Sequence, residues 1–206
     1  MIKVLIFDLC DTVVRTAGVG ALLHLPGLCS CYNAEGVDEW FRGNPVYYAY
    51  EKGAATTGQF LESMRRDLCP TADPDELALA YEHLILHEID GVAALLARLA
   101  SVFPLCALSN NNPLLWRGIR RVCPSLALFG QIFLSHEIGL LKPDPAAFQH
   151  VLEQIGCAAE EAVLVDDNPA CVAQARALGM KGIRFRTASQ ARRALNELFG
   201  KEGKIC

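Results

Sequence analysis

The sequence lacks the features that mark membrane and secreted proteins. No apolar run reaches the ~18 residues that a membrane-spanning helix needs, and the nearest candidate, residues 92–108, is interrupted by Arg98 and Pro104. The first apolar run ends early, at Asp8, and no small-residue cleavage site follows it, so we expect no signal peptide. We therefore expect a cytoplasmic protein with no membrane partner.

The sequence also has no excess of positive charge. Its formal net charge is −4, so no general basic field favours nucleic acid, and we expect no nucleic-acid partner. Internal repeats and low-complexity tracts are absent as well. With 52% apolar and 20% charged residues, the composition is that of an ordinary folded protein.

Paired cysteine spacing is missing although cysteines are plentiful. The chain has nine cysteines and no C-x-x-C motif, which argues against a disulfide framework and favours reduced, mostly buried thiols. One alternative is a zinc site in which Cys29 and Cys31 take part near His24. Structural zinc sites normally have more regularly paired ligands, so this is the weaker interpretation.

Five short, nearly continuous apolar segments predict buried parallel strands. They are residues 2–9, 104–110, 131–138, 162–167 and 182–186. Asp144-Pro145 and Gly156 predict the start and end of a helix between them, Asn168-Pro169 predicts another start, and Ser189 a third. The alternation predicts an α/β fold, a doubly wound, Rossmann-like parallel five-stranded sheet.

Residues 15–88 interrupt this alternation. They contain no comparable strand and are too many for a simple crossover, so we interpret them as an inserted helical cap, with residues 1–14 and 89–206 forming the core. The aromatic residues of the insertion could form its hydrophobic core or line a sugar pocket, and the first is favoured. They include Trp40, Tyr47, Tyr48 and Tyr50.

Polar residues follow four of the predicted strands. Ligands of open α/β sheets bind outside the carboxyl ends of the strands, where these residues would meet. They are Asp8 and Thr12 after the first strand, Ser109 and Asn110 after the second, Lys142 after the third, and Asp166 and Asp167 after the fourth.

This set of residues suits phosphoryl transfer. Three carboxylates in one place would repel one another unless a cation lay among them, and a hard oxygen site suits Mg²⁺. Lys142 and Ser109 supply a positive charge and a donor for a phosphoryl group. A carboxylate beside the metal can attack phosphorus and form an acyl phosphate, which divides the displacement into two easier steps.

At these residues the sequence resembles the haloacid dehalogenase superfamily. The segments "FDLCDT", "LSNN", "KPDP" and "VDDN" are similar to its four motifs, in order and each after a predicted strand. The insertion resembles the small helical cap of the subgroup that contains glucose-1-phosphate phosphatases. The resemblance implies the fold given above, a Mg²⁺ cofactor, and a small phosphorylated metabolite, plausibly a sugar phosphate, as substrate.

The resemblance also implies a role for each matching residue. Asp8 would be the nucleophile and a metal ligand, the carbonyl of Cys10 a second ligand and Asp167 a third. The remaining roles are an outer-shell position for Asp166, phosphate contacts from Ser109, Asn110 and Lys142, and support of the loop by Thr12.

Cys10 departs from the family pattern. Most phosphatases of the family have aspartate two residues after the nucleophile, as the acid and then the base of the reaction, and a thiol is a weak substitute. Asp11, at the next position, could act as the acid and base instead, although a role as a turn residue is the simpler interpretation. Relatives that lack the acid are still phosphatases, so we expect selectivity for leaving groups that need little protonation.

The leading hypothesis is thus a Mg²⁺-dependent phosphatase that forms an aspartyl-phosphate on Asp8. The first alternative is a catalytically impaired phosphate-binding or regulatory protein. The second is a haloacid dehalogenase. The acid pair of Asp166 and Asp167 argues against a dehalogenase, which needs no metal.

Overall fold

The computed structural model describes residues 1–24 and 27–200. Residues 25–26 of the predicted cap and 201–206 of the predicted core lie outside this description. Seven strands are present in the described chain. They are β1 (Val4–Phe7), β2 (Val14–Thr16), β3 (Ile85–Glu88), β4 (Leu105–Ser109), β5 (Gln131–Leu134), β6 (Ala162–Asp166) and β7 (Lys181–Arg184).

Five of these strands form a parallel sheet in the order β5-β4-β1-β6-β7, as the sequence predicts. The central strand β1 is flanked by β4 and β6, and the chain runs outward in opposite directions from these two neighbours. Such a reversal opens a crevice at the carboxyl end of the sheet. The side chains that follow β1, β4 and β6 are therefore brought to one place.

Residues 1–24 and 27–200 contain ten α-helices, which pack around the sheet and against one another. They are α1 (Ala34–Gly43), α2 (Pro45–Glu51), α3 (Thr57–Asp67), α4 (Pro74–Glu82), α5 (Val92–Ala100), α6 (Pro113–Val122), α7 (Ser135–Ile138), α8 (Pro145–Ile155), α9 (Pro169–Ala177) and α10 (Ala188–Phe199). Three short 3-10 helices complete the described chain at Val19–His24, Pro124–Leu128 and Ala159–Glu161.

The helix starts follow from capping side chains. Asp144 and Asn168 each accept a hydrogen bond from the first turn of a helix whose first residue is proline, as predicted. Gly156 ends α8 in the left-handed conformation that glycine adopts without strain. The prediction for the last helix was wrong by two residues, because Thr187 rather than Ser189 caps α10.

Two strand predictions also need correction. The segment 131–138 is a strand only as far as Leu134, and Ser135 begins the short helix α7. Residues 15–88 do contain strand structure, since β2 and β3 at the two ends of this segment pair antiparallel. This two-stranded ribbon connects helices α1–α4 to the parallel sheet.

The helices of the insertion share a hydrophobic cluster of their own. Its buried residues include Phe41, Tyr50, Phe60 and Tyr81, and Leu114 of α6 joins them from the sheet side. The sheet is covered on its two faces by two other clusters. Within residues 1–24 and 27–200, no helix combines the length and the apolar character needed to cross a membrane.

Candidate active site

Asp8 and Lys142 form the centre of the site. Asp8 directly follows β1, and its Oδ1 lies 2.9 Å from Nζ of Lys142. The same Nζ lies 2.7 Å from Oδ2 of Asp166, at the end of β6. Asp8 is 8% exposed and Lys142 5%, so this is an ion pair that is largely withdrawn from water. The ammonium therefore fixes two carboxylates that come from adjacent strands.

A third carboxylate completes an acidic cluster. Asp8, Asp166 and Asp167 each offer an oxygen atom, and these atoms all lie within 4.8 Å of one another. One ammonium cannot balance three carboxylates, and carboxylate oxygens are hard ligands. The donor set therefore fits Mg²⁺. Both oxygens of Asp166 already have protein donors, from Lys142 and from the Asn168 backbone N–H at 2.8 Å, which leaves Asp8 and Asp167 freer to coordinate a cation.

Burial and, to a smaller extent, repulsion between the carboxylates raise the pKa values of two of these aspartates. Burial raises the pKa of Asp8 to about 6; the Asp166 carboxylate adds to the effect, and Lys142 opposes it. Burial, with Asp166 and Asp11 nearby, also raises the pKa of Asp167. For Lys142, burial lowers the pKa, but the carboxylates of Asp8 and Asp166 raise it by more, so the ammonium stays charged.

Cys10 follows Asp8 by two residues and lines a cavity together with the three carboxylates of the acidic cluster. It is partly buried and packs against one of the two hydrophobic clusters that cover the faces of the sheet. Burial and the neighbouring carboxylates of Asp8, Asp11 and Glu51 hold its thiol pKa well above the usual range. The side chain is therefore a neutral thiol at physiological pH, which makes it a poor source of acid or base catalysis.

Asp11 occupies a turn and its carboxylate is already engaged. Its φ of 54° is in the left-handed region, which Asp tolerates better than most side chains. Oδ2 accepts from the Thr16 hydroxyl at 2.7 Å, and Oδ1 from the Thr16 backbone N–H and from Arg15. Asp11 thus fastens the second and last residues of β2 to the loop after β1.

Thr12 belongs to the same loop and is fully buried. Its hydroxyl accepts a 3.1 Å hydrogen bond from the Asp167 backbone N–H, so it joins the loop after β1 to the loop after β6. Thr12 therefore contacts the backbone that carries the acid pair.

Asn110 contacts Lys142 with its side chain. Its Nδ2 donates to the Lys142 carbonyl and its Oδ1 accepts from the Lys142 N–H, each at 2.7 Å. The Asn110 amide thus helps to position Lys142, and Asn110 also lines the cavity of the site, so its contact with phosphate stays a prediction. Ser109, the last residue of β4, is completely buried next to it.

The structure brings most of the predicted residues to one cavity. This cavity has a volume of about 210 Å³, and Asp8, Cys10, Asn110, Lys142, Asp166 and Asp167 line it together with Asp11, Asn168 and Cys171. Ser109 and Thr12 support its wall without lining it. Sequence reasoning missed Cys171, which the first turn of α9 places beside the acid pair. It also missed the buried carboxylate of Glu51, for which no sequence signal exists.

Two weaker expectations are now decided. Within the described ranges, the acidic cluster is the one group of three or more His, Cys, Asp or Glu ligands that lie close enough to share a metal ion, so Cys29, Cys31 and His24 form no such site. The aromatic residues of the insertion mostly form its core. Tyr50 is completely buried and stacks on Phe60, whereas Tyr48 is 45% exposed.

Comparison with known proteins shows one family match over most of the chain and matches to two relatives over a shorter stretch. A family described as haloacid dehalogenase-like hydrolase matches residues 2–179. Over 73 residues, 35% of the chain, the sequence is 42% identical to a drimenol cyclase of Aspergillus calidoustus and 38% identical to a sesquiterpene phosphatase of Aspergillus oryzae. These matches span 14% and 37% of the two relatives.

A third relative matches over nearly the whole chain. The flavin mononucleotide hydrolase 1 of Arabidopsis thaliana is 26% identical over 96% of this chain and 78% of its own length. Among solved structures, a haloacid dehalogenase family enzyme from Bacteroides thetaiotaomicron, in complex with magnesium and inorganic phosphate, superposes with a TM-score of 0.79. It is 20% identical and covers 91% of this chain and 96% of its own, a likeness that shows the shared fold.

Proposed function

Because the chain belongs to the haloacid dehalogenase-like hydrolases, we propose that it is a phosphatase of a small phosphorylated metabolite, with Asp8 as its nucleophile. The observation that carries this proposal is the position of Asp8. Its carboxylate lies at the crevice above the sheet, 2.9 Å from the Lys142 ammonium and within one acidic cluster with Asp166 and Asp167.

The reaction has two displacements on phosphorus. An oxygen of Asp8 attacks the phosphoryl group, the bond from phosphorus to the ester oxygen breaks, and the leaving group departs with the electron pair. Water then attacks the aspartyl-phosphate, which releases inorganic phosphate and restores the carboxylate. Lys142 neutralises charge on the phosphoryl oxygens, and Ser109 and Asn110, at the end of β4, are the further proposed contacts to phosphate.

Mg²⁺ would be held by Asp8, the backbone carbonyl of Cys10 and Asp167, with Asp166 in the outer shell. When bound, the ion would neutralise the negative charge of the phosphate dianion and of the neighbouring carboxylates. The orientation of the reacting groups comes from residues of this chain. Lys142 keeps Asp8 ionised and oriented, and Thr12 fixes the backbone of the loop that carries Asp167.

The names of two relatives support a phosphorylated substrate. One is a sesquiterpene phosphatase and another hydrolyses flavin mononucleotide. We propose that residues 15–88 are a cap that selects the substrate above a core formed by residues 1–14 and 89–206. A sugar phosphate as substrate, and kinship with the glucose-1-phosphate phosphatase subgroup, are further parts of this proposal that rest on the cap sequence.

One observation favours a second candidate, a phosphate-binding protein with little activity. Cys10 is a partly buried neutral thiol where an acid would be expected, so the described residues that line the cavity include no evident proton donor for the leaving group. The dehalogenase alternative receives no such support. The acid pair after β6 has no use in a reaction that proceeds without a metal.

The test is release of inorganic phosphate from an aryl phosphate such as p-nitrophenyl phosphate, with Mg²⁺ and with EDTA. We expect turnover with Mg²⁺, loss with EDTA, and loss in Asp8→Asn, because the amide cannot attack phosphorus. Asp11→Asn is the matched control, since it removes a neighbouring carboxylate whose oxygens contact Arg15 and Thr16 instead. Phosphate release that persists in Asp8→Asn would refute the nucleophile assignment.

A further inference from the structure

Glu51 is a buried carboxylate outside the acidic cluster. It ends α2, is 8% exposed, and belongs to none of the ion pairs among the described residues. Burial raises its pKa, and hydrogen bonds from Asn112 and Tyr47 offset part of this effect. A buried carboxylate without a cation is costly, so its few donors must hold it firmly.

The main donor is Asn112, which is 61 residues away in the sequence. Its Nδ2 lies 3.2 Å from Oε1 of Glu51 and 3.4 Å from the Tyr81 hydroxyl. Its Oδ1 accepts from the Leu115 N–H and so caps α6. Asn112 is itself completely buried. The pair therefore joins the last turn of α2 to the beginning of α6 with a polar contact that is shielded from water.

Asn112 ends the loop that begins at Ser109. In this loop, Asn110 binds both backbone groups of Lys142, and Lys142 holds Asp8. Asn111 is also fixed, because its N–H donates to the Ser135 hydroxyl and its carbonyl accepts from the same hydroxyl. A movement of Asn112 thus affects a short loop whose other end positions the catalytic ammonium.

Close contacts with α6 and α7 hold the C-terminal end of α2 in place. Gly53, just after α2, is so close to the backbone carbonyl of His136 in α7 that a Cβ atom could not be accommodated. Next to it, Tyr50 of α2 accepts from the Leu114 N–H at 3.2 Å. Glu51 therefore lies at a rigid junction rather than on a loosely attached segment.

We propose that Glu51 is a positioning residue that, through Asn112, sets the loop 109–112 and with it the Lys142 ammonium relative to Asp8. The proposal deepens the proposed phosphatase function and rests on it. It assigns to a residue of the insertion a part in the geometry of the phosphoryl-transfer site. Among the described residues Glu51 forms no ion pair with Lys142, and the positioning effect that we assign to it passes through the loop. Its charge near the Cys10 thiol is a separate influence, which would not change hydrogen exchange of the loop.

The test exchanges the carboxylate and the amide. In Asn112→Asp, two carboxylates face each other and the donor to Glu51 is lost. In the double variant Glu51→Gln with Asn112→Asp, the amide at position 51 can donate to the carboxylate at position 112. That carboxylate can still accept from the Leu115 N–H and from the Tyr81 hydroxyl. Glu51→Gln alone is nearly isosteric and keeps an acceptor for Asn112, so it is the variant most certain to fold.

Two readouts are measured on each full-length variant. The first is kcat/KM with p-nitrophenyl phosphate and Mg²⁺, and the second is hydrogen exchange of peptides that cover residues 107–115. For Asn112→Asp we expect kcat/KM to fall about tenfold and exchange to accelerate, with the double variant recovering to within about threefold of the wild type. Glu51→Gln should show a smaller change in the same direction. Glu62→Gln, at an exposed position on α3, is the matched control and should change neither readout.

The outcomes are distinct. A double variant that is no better than Asn112→Asp in either readout would overturn the proposal. So would variants that lose thermal stability but keep wild-type kcat/KM and wild-type exchange of the loop, since Glu51 would then be only structural. Recovery of exchange in the double variant, combined with a wild-type protein that hydrolyses no phosphate ester, would support the link to the loop and refute the proposed function instead.

Discussion

At the residue scale, Cys10 has the largest consequence for the reaction. In the proposed reaction the thiol lies where we expect a carboxylic acid, two residues after the proposed nucleophile Asp8, and its pKa lies well above the usual range. Asp11 is no obvious substitute, because Thr16 and Arg15 occupy its carboxylate. The leaving group must then depart with little help from a proton.

Cys10→Asp should therefore increase turnover of alkyl phosphates much more than that of aryl phosphates. A positioned acid and base contributes typically about 10²–10⁴-fold, and aryl leaving groups need it least. The measurement is kcat/KM for an alkyl and an aryl phosphate in the wild type and in the variant. Cys10→Ser is the control, since a hydroxyl of similar size supplies no usable acid. Equal turnover of both substrate types by the wild type would contradict the leaving-group argument.

At the scale of elements, the close packing of α6 determines how the inserted helices sit beside the sheet. Gly118 of α6 faces the end of α4 and the strand β3. An added Cβ atom would collide with the Glu82 backbone carbonyl and lie 2.9 Å from the Ile85 side chain. A backbone atom cannot yield as a flexible side chain can, so the position requires glycine.

Gly118→Ala should lower the free energy of unfolding by about 1–3 kcal/mol, the usual cost of overpacking. For a chain of this length, each kcal/mol corresponds to about 2–4 °C in Tm. Gly58→Ala in α3 is the matched control, because its nearest contact would be the Thr56 hydroxyl at 3.9 Å. There alanine should be neutral or stabilising by up to about 1 kcal/mol. The measurement is thermal unfolding of both variants. Equal Tm values would contradict the requirement for glycine at position 118.

At the scale of the whole molecule, the acidic cluster links metal binding to stability. Three carboxylates from two distant parts of the chain come together only in the folded state, and a single ammonium offsets their repulsion. The folded protein therefore offers a candidate cation site that the unfolded chain lacks, and we propose that Mg²⁺ occupies it. Any ligand that binds only the folded state stabilises it.

Mg²⁺ should accordingly raise the Tm of the wild type. At about 100 times its Kd, the stabilisation is about 2.7 kcal/mol. Asp167→Asn removes one repelling charge and one ligand, so it should raise the Tm without metal and reduce the shift that Mg²⁺ causes. Asp38→Asn on α1 is the control and should leave that shift unchanged. An Asp167→Asn protein with the full Mg²⁺ shift would contradict the assignment of Asp167 as a ligand.

Part of the fold and of the candidate site could be predicted from the sequence, because local chemistry determines it. The apolar runs that end in Asp8, Ser109 and Asp166 predict parallel strands, and parallel strands bring their carboxyl ends to one edge. The proline and Asx pairs before α8 and α9 specify where those helices begin. Family, sheet and the general place of the site follow from such signals, which need no knowledge of distant contacts.

Only the tertiary structure decided which partner each polar group finds. Asn110 has the sequence position of a phosphate-binding residue, but its amide pairs with the Lys142 backbone, 32 residues away. Glu51 shows no sign of burial in the sequence, yet folding encloses it and gives it Asn112. Hydrogen bonds and desolvation act through space between segments that are far apart in the chain, and the hydrophobic pattern of the sequence carries no information about such pairs. For that physical reason the sequence determined the strands, whereas the folded structure determined the polar contacts.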